Sequence, residues 1–454
     1  MIRSVLFAAS LALAGCSAPQ SDRAVSRSDT VEPPLPSMKL FGSASVSKPT
    51  QSNADIARDF LDLHFQLESG RSLERYTRFE GPVRVRVTGN PPPSLQTDLK
   101  ALISRLRREA GINISLTNAR DAEITIQAIS RGDIRRALPQ AACFVVPNVS
   151  SLADFRRNRR KARTNWASLE TRERMGIFLP HDASPQEVRD CLHEELAQSL
   201  GPLNDLYRLS DSVFNDDNVH TILTGFDMLI LRATYAPELH SGLTKAQVAA
   251  RLPDVLDRLN PQGRGKGLTP VTDTPRSWIG NVQTALGPGA DLATRRDAAD
   301  SAAQTAQTLG WQDHRRAFGH YMIGRMMQIH DPAGAQNHYT SALQFLSQTP
   351  ATGLHRAYVT TQTAAYAISL GAGEEALAQI EPHIPIAARA QNAALLATLM
   401  LLKAEALELE NRSAEAQRVR LDSVGWARYG FGPDWAVRAK MREIASISPL
   451  RRGS

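Results

Sequence analysis

The sequence predicts an α+β domain followed by an all-α helical-repeat domain. Three observations carry this. Between residues 83 and 128 short runs alternate apolar and polar residues, the period of a half-buried strand, and short apolar runs follow at 143–146 and 176–179. Ser184-Pro185-Gln186-Glu187 then opens a long helix with a cap, a first-position proline and a capping-box glutamate together. From about residue 291 the composition shifts to Ala, Leu and Gln at helical spacing.

The elements follow in order. Val83, Val85 and Val87 alternate with Arg84 and Arg86, which predicts a strand. Asn90-Pro91-Pro92-Pro93 breaks it, Ser94 is expected to cap a helix through about Glu109, and Gly111 to end it. Ile112, Ile114 and Leu116 alternate again, as do Ile124, Ile126 and Ala128. Cys143 to Val146 is a fourth strand candidate, residues 152–174 a basic, partly helical insertion, and Gly176-Ile177-Phe178-Leu179 a fifth strand. The helix capped by Ser184 runs to about Leu200, where Gly201 stops it. Helices are expected at 220–235 and 244–259, and a Gly- and Pro-bearing linker at 260–290. Beyond 291, Ala335, Ala376 and Ala416 each follow a turn, 41 and 40 residues apart, with a helix on either side. Helix pairs at such a period predict an α-solenoid, with an irregular bundle as the alternative. They are similar to tetratricopeptide repeats, although the period exceeds the usual 34. The expected divisions are 1–15 signal peptide, 16–54 tether, 55–259 α+β domain, 260–290 linker and 291–454 helical repeats.

The length of 454 residues, 42% hydrophobic and 22% charged, suits two or three globular domains. Arg3, the apolar run Val5 to Ala14 and Leu13-Ala14-Gly15-Cys16 form a secretory signal too short to span a bilayer. The Leu-Ala-Gly-Cys string resembles the lipobox of bacterial lipoproteins. That resemblance implies cleavage before Cys16 and its lipidation; Ser17 in place of Asp implies anchoring on the periplasmic side of the outer membrane. An ordinary signal peptide with an incidental cysteine is the alternative. Residues 17–54, rich in Ser, Pro and charge, read as a flexible tether. The net charge of +7 favours anionic lipid, an anionic cell-wall polymer or an acidic partner, and the compartment argues against nucleic acid. Cys143 and Cys191 remain as an even pair in an oxidising compartment. A disulfide closing roughly 50 residues would contribute about 4 kcal/mol; two buried thiols are the alternative.

The chemistry, if any, lies on Cys191-Leu192-His193-Glu194-Glu195-Leu196-Ala197-Gln198-Ser199-Leu200-Gly201. His193-Glu194 begins an HExxH zinc motif, but Ala197 occupies the second histidine position and cannot bind metal. Shifted by one, the stretch resembles the metzincin pattern HExxHxxGxxH. Glu195 and Gly201 then match the base and the glycine, while Glu194, Gln198 and Asn204 replace the three histidines. Ser212-Val213-Phe214 stands where a Met-turn would come, and Leu223 to Asp227, running on to Tyr235, resembles the closing helix. The resemblance implies a zincin-like fold without its metal ligands. The same stretch is similar to domain-of-unknown-function family 2927, through Glu194, Glu195, Gln198 and Gly201, then Asn204-Asp205 and Phe214-Asn215-Asp216, over roughly residues 55–245. That family name implies no activity.

Cys191, Glu194, Glu195 and Gln198 share one helical face, opposite a core stripe of Leu192, Leu196 and Leu200. An oxygen-rich set without imidazole is a poor zinc site and suits a harder cation. Zinc is therefore not expected. Three readings stay open: a structural network or degenerate site; a binding cleft of Glu194, Gln198, Asn204 and Asp205; or a metallopeptidase-like hydrolase with Glu195 as general base. His193 reads as a packed histidine, and His181 and His220 have no spacing argument. The acidic loop Asp211, Asn215, Asp216 and Asp217 lacks the glycine and terminal glutamate of a calcium loop and reads as a capped turn. The six charges from Arg156 to Arg163 read as a solvated face, with an anionic partner as the alternative. Together these predict a cell-envelope lipoprotein with a non-catalytic zincin-like domain and helical repeats that bind a protein. The alternative is a cell-envelope peptidase or peptidoglycan hydrolase.

Overall fold

Five short strands form one sheet: β1 (Val83–Gly89), β2 (Ile114–Leu116), β3 (Ile124–Ile129), β4 (Phe144–Pro147) and β5 (Met175–Pro180). The order is β2-β1-β3-β5-β4, parallel throughout except for β4, which runs antiparallel to β5 at one edge. The chain is described by a computed structural model covering residues 34–44 and 47–451. The signal segment and Cys16 with its expected lipid lie outside the described residues.

The remaining elements of this half are α1 (Asn53–Phe65), α2 (Pro93–Glu109), α3 (Arg131–Ala137), α4 (Leu152–Asn158), α5 (Pro185–Leu200), α6 (Gly225–Thr234) and α7 (Lys245–Leu259). The alternation seen in the sequence explains the core. Val83, Val85, Ile124, Ile126, Ile177 and Leu179 meet Leu95, Leu99, Leu102 and Leu106 of α2 and Leu192, Leu196 and Leu200 of α5. Every residue of β5 is buried, as a strand covered on both faces must be. On the other side Phe178 packs with Phe144, Phe155 and Ile134.

Helix starts depart from the sequence reading in detail. The Ser184 hydroxyl accepts the Glu187 N–H and Pro185 takes the first turn, as expected. The reciprocal half of the box is missing, because the Glu187 carboxylate pairs with Arg131 instead. Ser94 does not cap α2: Pro93 already starts that helix, and the buried Ser94 hydroxyl has no partner. Gly111, at φ +70°, ends the stretch in the left-handed region glycine favours. Helices α1 and α3 go beyond the elements expected.

The C-terminal half is all helical: α8 (Arg276–Leu286), α9 (Leu292–Thr308), α10 (His314–Met327), α11 (Pro332–Gln348), α12 (Gly353–Ser369), α13 (Gly373–Ile380), α14 (Ile384–Arg389), α15 (Ala393–Leu409), α16 (Ser413–Phe431) and α17 (Asp434–Ala445). Neighbours in sequence pack as pairs, α8 with α9, α10 with α11, α12 with α13 and α15 with α16. Ala335, Ala376 and Ala416 lie fully buried in the first turn of α11, α13 and α16. Helix α15 is apolar on nearly every face and is correspondingly enclosed.

Two expectations need correction. The 260–290 stretch is not simply a linker: it contains α8, whose Trp278, Val282 and Ala285 form an apolar stripe. Trp278 is fully buried, edge-on to Tyr207 and Trp311. Nor is the tether free throughout. Within 36–44, Phe41 stacks on Trp426 at 4.4 Å and the Lys39 N–H donates to the Gly425 carbonyl at 3.0 Å. A Cβ at Gly425 would come within 2.7 Å of the Lys39 side chain, so the glycine makes room for this strap. Composition averages over such single anchors. Among the described residues no helix is long and apolar enough to cross a membrane.

Candidate functional site

Helix α5 turns its leucine stripe into the core, and this leaves Glu194, Glu195 and Gln198 facing a cavity of about 690 Å³. The edge strand supplies Phe144 and Val145, and the segment before it runs from Leu138 to Cys143 along the wall. Trp166 adds an aromatic side, Glu68 comes from the turn after α1, and Asp205 and Asp216 from the loop after α5. A disulfide joins Cys143 to Cys191, fastening the wall to the helix one turn before the glutamates.

The electrostatics are one-sided. Five carboxyl groups line the cavity, and no Lys, Arg or His does so among the described residues. Glu195 is 4% exposed and its Oε2 has no hydrogen-bond partner; Oδ1 of Asp205 has none either. Burial pushes the Glu195 carboxyl well above the usual carboxylate range, and the charges of Glu194 and Glu68 push the same way. Asp205 is likewise raised, first by burial and then by Glu68, Glu194 and Asp216. Glu194 is pushed up to about 8 by burial, then by Glu68 and Asp216. Glu68 and Asp216 stand exposed at the rim. Asp216 accepts from the Tyr207 hydroxyl at 3.1 Å and from Gln283 of α8 at 3.5 Å.

The frame of three replaced histidines assembles only in part. Glu194 and Gln198 line the cavity, but Asn204 does not: its amide donates to the Asp62 carbonyl of α1 at 3.1 Å. Asp205, the next residue, faces the cavity instead. Gly201, at the end of α5, lies close against α6 and α1. A Cβ there would lie 2.7 Å from Thr234 Cγ2 of α6 and 3.0 Å from His64 Nε2 of α1. Ser212-Val213-Phe214 is clamped by Asp227, which accepts the Ser212 hydroxyl at 2.5 Å and the Val213 N–H at 3.1 Å, and Phe214 is fully buried.

Of the other candidates, only Asp216 of the acidic loop lines the cavity; the rest fall outside it. His193 Nδ1 accepts the Leu223 N–H at 3.1 Å, and burial holds the imidazole well below its ordinary pKa. His181 does not line the cavity. In the acidic loop Asp217 is taken up by His355 at 2.9 Å, Asn215 at 2.8 Å and the Val219 N–H at 3.0 Å. His220 lies 3.5 Å from Asp211, and its ring and that of His314 are 5.8 and 5.6 Å from the His355 ring. Of the basic run, Arg156 pairs with Asp133 at 2.9 Å and Arg163 with Asp154 at 3.7 Å, while Arg159, Arg160 and Lys161 are exposed. Among the described residues no group of three or more His, Cys, Asp or Glu is placed to hold a metal ion.

Residues missing from the sequence reading complete the site. Arg172 is buried, donates to the Gln198 carbonyl at 2.5 Å and to that of Gly201, and so caps the end of α5 with a positive charge. Its guanidinium lies 5.4 Å from the Trp166 ring. Neither Arg172 nor Glu68 belongs to a local pattern, so no signal in the sequence marks them.

Residues 53–254 match the family model described as protein of unknown function (DUF2927). The match spans the whole sheet, α5 and all of the cavity wall except Gln283. No curated protein and no solved structure matches the chain.

Proposed function

We propose that this chain is a cell-envelope lipoprotein, anchored through Cys16 to the periplasmic side of the outer membrane, whose zincin-like part binds a ligand without zinc. The observation that carries the reading is Glu195: a buried carboxyl with an unpartnered oxygen, facing a cavity that no imidazole lines among the described residues. Buried polar groups are normally paired, and exceptions concentrate where something else supplies the partner. The cavity volume is that of a small-ligand site.

The zincin likeness is supported by the mixed sheet beside α5 and by Glu195 and Gly201 at their motif positions. Zinc chemistry is disfavoured by the oxygen-only donors and by Asn204 turning away. The hydrolase alternative needs Glu195 ionised to act as base, whereas its burial favours the protonated form. The helical half, which we liken to tetratricopeptide repeats, braces the site. Gln186 and Arg189 of α5 bond Asn392 and Gln391 at the start of α15, and Gln283 reaches the rim. Its remaining faces are offered to a protein partner, and the exposed part of the basic run to an anionic polymer.

Elemental analysis of the purified protein tests the central claim. The expected result is less than stoichiometric zinc; one zinc per chain, lost in Glu194→Ala, overturns it. For the anchor, Cys16→Ser should release the protein from the membrane fraction, and an unchanged distribution removes that part alone.

A further inference from the structure

We propose that the cavity binds an organic cation, a primary ammonium or guanidinium group carried on an elongated ligand such as a basic peptide segment. This rests on the binding-cleft reading and adds the charge class of the ligand. The first ground is charge. In a protein of net charge +7, Glu68, Glu194, Glu195, Asp205 and Asp216 gather around one cavity, with no cationic side chain among its described lining residues. The second is hydrogen bonding. Among the described residues, Glu195 is enclosed and its Oε2 has no hydrogen-bond partner, while the Asp205 carboxyl meets only another carboxyl, that of Glu68. A buried acceptor left unpaired is costly, and an ammonium brings three donors and a guanidinium five.

Geometry separates this cation from a bare metal ion. A divalent ion needs several ligands at one point, and no such convergence exists among the described residues. Carboxyls spread around about 690 Å³ suit a larger cation whose donors are themselves spread. The apolar parts of the wall, Leu138, Phe144 and Trp166, would pack an aliphatic stem while the charged end reaches Glu195. Entry of the cation replaces protons: the raised carboxyls of Glu194, Glu195 and Asp205 ionise as the positive charge arrives. Binding should therefore release protons and strengthen as pH rises.

Calorimetric titration of the full protein with an end-capped trilysine peptide tests this, alongside the same peptide acetylated on every side-chain amine. The charged probe is expected to bind at one site about tenfold or more tighter than the acetylated one, the worth of one charge-assisted hydrogen bond. Its heat should differ between buffers of different ionisation enthalpy, which reads the proton release. Glu195→Gln and Asp205→Asn should each weaken it. Equal affinity for both peptides, or no binding by either trilysine or triarginine, overturns the proposal without needing a variant. So does unchanged affinity in both variants. The zinc content of the same sample distinguishes the failures. A zinc-free protein that ignores the peptides loses only the cation inference, whereas stoichiometric zinc removes the binding-cleft reading beneath it.

Discussion

Glu194 and Glu195 face one cavity from adjacent positions, and the cost of holding them there is readable in pH. Glu194 has an ordinary pKa of 4.5 and is raised to about 8 in the fold. The folded chain therefore keeps this proton longer than the unfolded chain does. The stability it favours is present below pH 4.5 and is lost as pH climbs through 8. Glu194→Gln should flatten that loss: equal to the parent near pH 4 and more stable at pH 8, by thermal unfolding. A constant difference across the range would contradict the assignment. The buried histidines act in the opposite direction. His220 and His314 are lowered from 6.5 to about 4, first by burial and then by the neighbouring His355 charge. The unfolded chain then takes up their protons first, so stability should fall as pH drops from 6.5 towards 4. His314→Gln can still donate to the Tyr207 carbonyl, now accepted from Nε2 at 2.7 Å. It should recover part of the acid-side loss in urea midpoints; an unchanged acid limb would show that these rings do not set it.

At the scale of elements, the site depends on how α5 is held. The Cys143–Cys191 bridge closes a separation of 48 residues between the edge-strand wall and the helix. Replacing both cysteines by serine should cost about 4 kcal/mol on the chain-entropy account. Denaturant unfolding measures it, and a loss near zero would mean the wall is held by packing alone. At the other end of α5, Gly201→Ala puts a methyl within 2.7 Å of Thr234 and 3.0 Å of His64. Overpacking of that kind costs about 1–3 kcal/mol. Because α1 and α6 must both shift, the midpoint should fall with no change in the disulfide.

For the whole molecule, the family match ends at residue 254, yet α5 does not finish its bonds within it. Gln186 accepts the Ala394 N–H at 2.9 Å, Arg189 donates to the Gln391 carbonyl, and the Tyr429 hydroxyl donates to Asp98 of α2 at 2.9 Å. Arg189 also lies 5.0 Å from the Tyr429 ring. A fragment ending at residue 259 leaves this buried arginine and its neighbours without partners, and unpaired buried charge is strongly destabilising. Such a fragment should unfold at markedly lower temperature than the full chain and bind a hydrophobic dye. A fragment as stable as the parent would show the two halves to be energetically independent.

Alternation in three strands, short apolar runs in the other two, the Ser184-Pro185-Gln186-Glu187 start of α5 and the change of composition near 291 are all local, and were enough to place these elements. The same local reading found Glu194, Glu195, Gln198 and Asp205, because a single helix and its exit loop carry them. It assigned Asn204 to the site wrongly, since the direction of a loop side chain depends on a carbonyl 142 residues away. It had no means of finding Glu68 or Arg172, whose neighbours are distant in sequence. It also took the docked strap at 36–44 for free chain, because composition does not register one aromatic ring meeting another. Alternation and capping are properties of neighbouring residues and survive without a fold. A cavity rich in acid, and the pairing that leaves some of it unsatisfied, exist only once distant segments have closed around the same space.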